Sequence, residues 1–223
     1  MGRDNAPKER QRAQLERKQA CRASYDRILI VTEGSKTEPN YFREIRADHR
    51  LHTANIAVQP CKWGTAPLQI VQYAKDLFEK GNPHKIQPRA FEQVYAVFDR
   101  DDHDSYFDAL QLATSLDNKL RNDLKRPVEF KAIASVPSFE LWLLLHYEDI
   151  QALIHRDEVM RRLKQYLPDY QKGASNAFAT TKGLLGTATQ RARTLATRYD
   201  ADDGFDPYTA IFDLVTRLTT LRS

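Results

Sequence analysis

Short apolar runs that close on a carboxylate constrain this chain more than anything else in it: Ile28-Leu29-Ile30-Val31-Thr32-Glu33-Gly34, Val94-Tyr95-Ala96-Val97-Phe98-Asp99-Arg100-Asp101, and Val136-Pro137-Ser138-Phe139-Glu140-Leu141-Trp142. Runs of this length and β-branched content read as strands buried on both faces of a parallel sheet. In open α/β sheets, ligands gather beyond the carboxyl ends of the strands. Glu33, Asp99 and Asp101 are therefore expected along one sheet edge, with Asp99 and Asp101 on the same side and Arg100 facing away by period-two alternation. Oxygen-only side chains clustered within reach of water suit a hard cation, Mg²⁺ or Mn²⁺, which keeps several waters and grips phosphate oxygens. A competing reading makes each of these carboxylates the cap of the helix that follows it.

Strand and helix alternate through the first two thirds of the chain. Strands are expected at 25–31, 55–59, 94–98 and 130–135, and helices at 38–50, 66–80 and 105–124, with Gly34 easing a sharp turn beneath Glu33 and Ser105 capping the third helix. Helices then take over at 139–146, 156–166, 178–199 and 207–222, the last opened by Asp206 as N-cap and Pro207 at its first position. This pattern predicts an α/β fold with a parallel sheet of about four strands, flanked by helices and joined by right-handed crossovers, with a helical C-terminal extension from about residue 139.

A hydrophobic fraction of 41% and a charged fraction of 29% describe an ordinary globular chain. The longest apolar stretch, 139–145, is too short to span a bilayer, and no apolar leader opens the sequence, so a cytoplasmic protein without a membrane partner is expected. Cys21 and Cys61 stand far apart without metal-ligand spacing and read as incidental thiols. The net charge of +4 matters through its distribution. Lys8, Arg10, Arg12, Arg17, Lys18 and Arg22 crowd a basic arm over 1–24, ahead of a domain over 25–223. Such an arm is either a contact to nucleic-acid phosphates or a solvated tail. Lys36, at a helix start beside Gly34, is a phosphate-binding candidate. Lys172 and Lys182, with Arg191, Arg193 and Arg198, form a second basic group, read either as a nucleic-acid contact or as an exposed face. Asp102, His103 and Asp104 offer a further ligand or proton carrier, or simply a polar loop. Glu140 sits among Phe139, Leu141 and Trp142, where a charge needs a cation or a basic partner; His146, six positions on, reads as structural.

An apolar strand with Glu33-Gly34, followed farther along by a strand with Asp99-x-Asp101, resembles the Toprim signature of topoisomerases, primases and OLD-type nucleases. A closer resemblance is to the RloB-like family of phage-defence proteins. It is carried by Val31-Thr32-Glu33-Gly34 with Thr37-Glu38-Pro39-Asn40-Tyr41-Phe42, by Phe98-Asp99-Arg100-Asp101-Asp102-His103, and by the segment from Pro137-Ser138-Phe139-Glu140 to His146. It runs from about Arg27 to the C-terminus, and departs at Val136, where a small polar residue would be expected. The resemblance implies a Toprim-like fold in which Glu33 is a general acid or base, Asp99 and Asp101 hold the metal, and Glu140 is a further catalytic carboxylate. It also implies a metal-dependent nuclease acting in phage defence by abortive infection. A separate ATPase subunit is expected alongside, since the Gly-x-x-x-x-Gly-Lys spacing of a nucleotide-hydrolysis loop is absent here. The alternative is a non-catalytic module that binds nucleic acid or a partner and keeps a structural divalent cation. Primase-like polymerisation uses the same carboxylates, but no zinc finger accompanies them.

Overall fold

Uninterrupted apolar, β-branched sequence is most comfortable as a strand covered on both faces. In the computed structural model, which describes residues 25–83, 85–101, 103–199 and 207–221, four such strands form the centre of the molecule. They are β1 (Ile28–Thr32), β2 (Ile56–Pro60), β3 (Gln93–Asp99) and β4 (Glu129–Val136), paired in parallel in the order β2-β1-β3-β4. A short β5 (Tyr208–Thr209) adds to the β4 edge antiparallel, with Thr209 opposite Ser135. The basic arm over 1–24 with its Cys21, and Asp102, Asp206 and Arg222, lie outside the described residues.

Alternation along the strands sends successive side chains into two layers. Leu29, Val31, Ala96, Phe98 and Phe130 pack with α2 (Pro67–Lys80) and α3 (Tyr106–Leu116) on one face. Ile28, Ile30, Tyr95, Val97 and Ile133 pack with α1 (Thr37–Asp48) on the other. That second layer also holds the C-terminal helices α4 (Glu140–Leu144), α5 (Arg156–Tyr166), α6 (Ala177–Thr181), α7 (Leu185–Ala196) and α8 (Ile211–Thr220). Trp142, Leu163, Phe178, Ala192 and Leu214 from these helices share one buried cluster with α1 and the strands.

Strand order reverses at β1, which has β2 on one side and β3 on the other. This is the switch point where connections leave in opposite directions and open a crevice. Glu33 directly follows β1, and Asp99 ends the adjacent β3.

Three helices differ from expectation, two of them for identifiable reasons. The helix expected over 105–124 stops at Leu116, because polar side chains beyond it bind backbone groups elsewhere. Asp117 Oδ1 accepts the Phe130 N–H at 2.9 Å, and Asn122 Oδ1 accepts those of Leu124 and Arg126 at 3.0 and 2.9 Å. Ser105 holds the N-cap position of α3 but makes no capping bond. The helix expected over 178–199 is divided by a 3₁₀ turn, Lys182–Leu184. Helix α8 begins at Ile211 instead of Pro207, because the sheet edge captures the preceding residues: the Ala210 N–H donates to Ala134 O at 2.9 Å, and the hydroxyls of Ser135 and Thr209 bond at 3.1 Å.

Candidate active site

The two strands at the switch point are tied by the first carboxylate. Glu33 Oε2 accepts the backbone N–H of Asp99 at 2.9 Å. Burial pushes Glu33 up to about 7 against that hydrogen bond, and the charges of Asp101 and Glu38 add to the rise. Asp99 is buried and is raised well above the usual carboxylate range, first by desolvation and then by Glu38, Glu33, Glu140 and Asp101. Asp101 reaches the same place by a route other than strand alternation. β3 has ended, the Asp101 backbone is left-handed at φ 36°, and its Oδ1 stands 2.6 Å from Arg156 Nη1 at the start of α5.

Glu140 opens α4 and is 2% exposed. The basic partner expected for it is present, with help from hydroxyls: Ser138 Oγ donates to Oε2 at 2.9 Å, Tyr170 OH donates to Oε1 at 3.2 Å, and Lys172 Nζ lies 3.5 Å from Oε2. Lys172 is carried by the α5–α6 loop, which is clasped to the start of α1. There the Gly173 N–H donates to Thr37 Oγ1 at 2.8 Å, and Asn40 Nδ2 donates to Gly173 O at 3.2 Å. Gly173 is left-handed at φ 84°, and a Cβ on it would sit 2.8 Å from Lys36 Cβ, so only glycine lets the loop lie down here.

Glu33, Asp99, Asp101 and Glu140 all line one depression of about 270 Å³, with Lys36 and Lys172 among its walls. Lys182 is not part of it and pairs instead with Asp48 at 2.6 Å. His146 is structural, as expected. It is buried against Trp142 with Nδ1 3.0 Å from Trp142 O, and burial pushes it down to about 4.

The residue to which sequence reasoning gave no role is Glu38. It lies in the first turn of α1, lines the same depression and is 7% exposed, and its Oε2 has no hydrogen-bond partner. Burial raises its pKa, and Glu140 adds to the effect. A signal for it existed in Gly34. That glycine does not have a positive φ, so the turn itself does not demand it; instead a Cβ on Gly34 would collide with Glu38 Oε2. The glycine makes room for a carboxylate.

Five carboxylates around one depression, with a buried oxygen left unpartnered, form the donor chemistry of a hard divalent cation. Among the described residues, no three His, Cys, Asp or Glu side chains are already set to hold a metal ion together. Glu33 is engaged by the Asp99 N–H and Asp101 by Arg156. The donor set fits such a cation, and seating it requires these side chains to turn inward.

Fold and site together define a class: an α/β protein with a five-stranded, mostly parallel sheet and an acidic centre at its switch point, consistent with a Toprim-like arrangement. Residues 28–218 match the family model described as RloB-like protein, and the chain belongs to that family. No curated protein and no solved structure matches it. No helix among the described residues is long and apolar enough to cross a membrane.

Proposed function

We propose that this protein is a Mg²⁺- or Mn²⁺-dependent nuclease of Toprim type that hydrolyses phosphodiesters in phage defence, in the cytosol and beside a separate ATPase subunit. The observation that carries this reading is the gathering of Glu33, Glu38, Asp99, Asp101 and Glu140 at the sheet's switch point, with a Glu38 oxygen buried and unpaired. Asp99, Asp101 and Glu33 would hold the cation. When bound, it supplies charge stabilisation to phosphate oxygens in the transition state. The chain's own groups do the remainder. Glu33, which burial raises to about 7 before any cation is bound, is the carboxyl of the centre placed to exchange a proton. Lys36 and Lys172, in the walls of the same depression, would meet the flanking phosphates of a strand. Glu140 orients Lys172 through their ion pair.

The Asp101–Arg156 ion pair favours the alternative of a non-catalytic module, since it offsets the charge of a proposed ligand without any cation. Titrating Mn²⁺ against labelled single- and double-stranded DNA and RNA separates the two. Cleavage that Asp101→Asn abolishes, with a native circular-dichroism spectrum, supports the nuclease. Binding without products at every Mn²⁺ concentration supports the module.

A further inference from the structure

A second pocket, larger at about 630 Å³, opens beside the acidic centre. The two share Asp101 and Arg156, so one runs into the other. Their chemistries differ. Arg100, His103, His155 and Arg156 bring nitrogens to the walls of the second pocket beside the carboxylates of Asp101 and Asp104, and Phe107 forms part of its lining. Phe107 is 48% exposed, on a helix whose other face is core. Two neighbours flank the ring. It packs edge-on against buried Tyr106 with ring centroids 5.3 Å apart at 82°, and the Arg100 guanidinium carbon lies 6.0 Å from the Phe107 centroid and 5.8 Å from that of Tyr106. An exposed aromatic ring with a guanidinium beside it, in a recess where two arginines and two histidines stand among two carboxylates, has the chemistry that stacks a nucleobase.

We infer that this pocket receives an unpaired nucleotide of a single-stranded nucleic acid, its base against Phe107 and Arg100 and its phosphate toward Arg156. The inference rests on the nuclease reading for its direction: Arg156 faces both pockets, so the next phosphodiester along such a strand comes to lie over Glu33 and Asp99. The pocket's volume falls within the range of small-ligand sites, enough for one nucleotide. In a duplex the base faces are covered by their stacked neighbours, and a base must leave the stack before a protein ring can take that place. Arg156 then acquires a second role. A phosphate that draws it away from Asp101 frees the carboxylate for the acidic centre.

The test is equilibrium binding in EDTA, read by fluorescence anisotropy with short labelled single strands of DNA and RNA, the matching duplexes and a labelled mononucleotide. The proteins are wild type, Phe107→Ala and Phe107→Trp, each checked by thermal melting. Wild type should prefer at least one single strand over its duplex and over the mononucleotide. Phe107→Ala should lose about tenfold in single-strand affinity, the usual consequence of removing one stacking ring, with duplex affinity unchanged. Phe107→Trp should keep it. The inference is overturned if wild type binds duplex or mononucleotide as tightly as single strands, if it binds none of them, or if Phe107→Ala changes all affinities alike or none. A separate Mn²⁺ cleavage assay tells the two readings apart. Phe107-dependent single-strand binding without products keeps the pocket and removes the nuclease; duplex cleavage indifferent to Phe107 does the reverse.

Discussion

Whether a carboxyl keeps its proton on folding depends on what surrounds it, and Glu33 illustrates the competition. Its hydrogen bond from Asp99 favours the charged form, yet burial with Asp101 and Glu38 nearby wins and raises it from 4.5 to about 7. The sign of the stability effect follows. Below about 4.5 the group is protonated in both states and its contribution is fully present. As pH rises toward about 7 the unfolded chain has released the proton and the folded chain has not, so stability falls, by an amount on the order of 3 kcal/mol before allowance for partial solvent access. Metal-free wild type should therefore melt lower at pH 7.5 than at pH 5, and Glu33→Gln should flatten that difference. Equal slopes in EDTA would mean that Glu33 ionises freely in the folded state. Gly34 supplies a second prediction at this scale. Gly34→Ala forces the Glu38 carboxylate aside and should cost about 1 kcal/mol, the low end of overpacking, because the displaced atoms end a flexible side chain. Glu38→Ala removes the clashing atoms, so a double-mutant cycle should show coupling of at least about 0.5 kcal/mol. Additive losses would place the glycine's role elsewhere.

Among the elements, those with strong periodicity were legible in the sequence and those decided by tertiary partners were not. The four parallel strands fall within a few residues of expectation, and α5 spans Arg156–Tyr166 as expected, because continuous apolar runs and a clear helical stripe need no outside information. β5 was invisible, since two residues become a strand only when a sheet edge offers them partners. The site shows the same division. Glu33 and Asp99 could be placed from their strands, whereas Asp101 arrives through a left-handed residue beyond β3, and the position of Lys172 depends on a clasp to Thr37 and Asn40 far away in sequence. Apolar spacing alone carried α3 too far because Leu120 continues the stripe, while Asp117 is drawn away to the backbone of β4. Asp117→Ala strands that Phe130 N–H and should cost about 1 to 3 kcal/mol. Leu124→Ala, at a 61% exposed position in the same loop, should stay within about 0.5 kcal/mol. Denaturant midpoints of the two variants check the contrast, and a harmless Asp117→Ala would mean that the loop is not what ends the helix.

Across the whole molecule, the two ends of the sheet treat buried charge in opposite ways. At the amino end of the strands, Arg27 is buried with Glu92 and Asp123, and Asn122 Nδ2 donates to Glu92 at 3.1 Å, so the charges close on one another. At the carboxyl end, five carboxylates face Lys172 and Arg156, and two of their oxygens, Glu38 Oε2 and Asp101 Oδ1, are buried without a hydrogen bond, the second held only by its ion pair. A fold that can satisfy charge at one end and leaves it unbalanced at the other stores repulsion that a divalent cation would relieve. With Mg²⁺ at about 100 times its dissociation constant, the folded state should gain roughly 2.7 kcal/mol by linkage. For a chain of this size that is a rise in melting temperature on the order of 5 to 10 °C. Asp99→Asn removes one of the repelling groups at nearly constant shape, so it should raise metal-free stability and erase most of the metal-induced gain. Helix caps predict the opposite sign, because loss of a capping carboxylate costs stability with or without metal. Thermal melts of wild type and Asp99→Asn, each in EDTA and in excess Mg²⁺, decide between them: a wild type indifferent to Mg²⁺ together with a destabilised Asp99→Asn would leave the acidic centre without a cation and the nuclease reading without its physical basis.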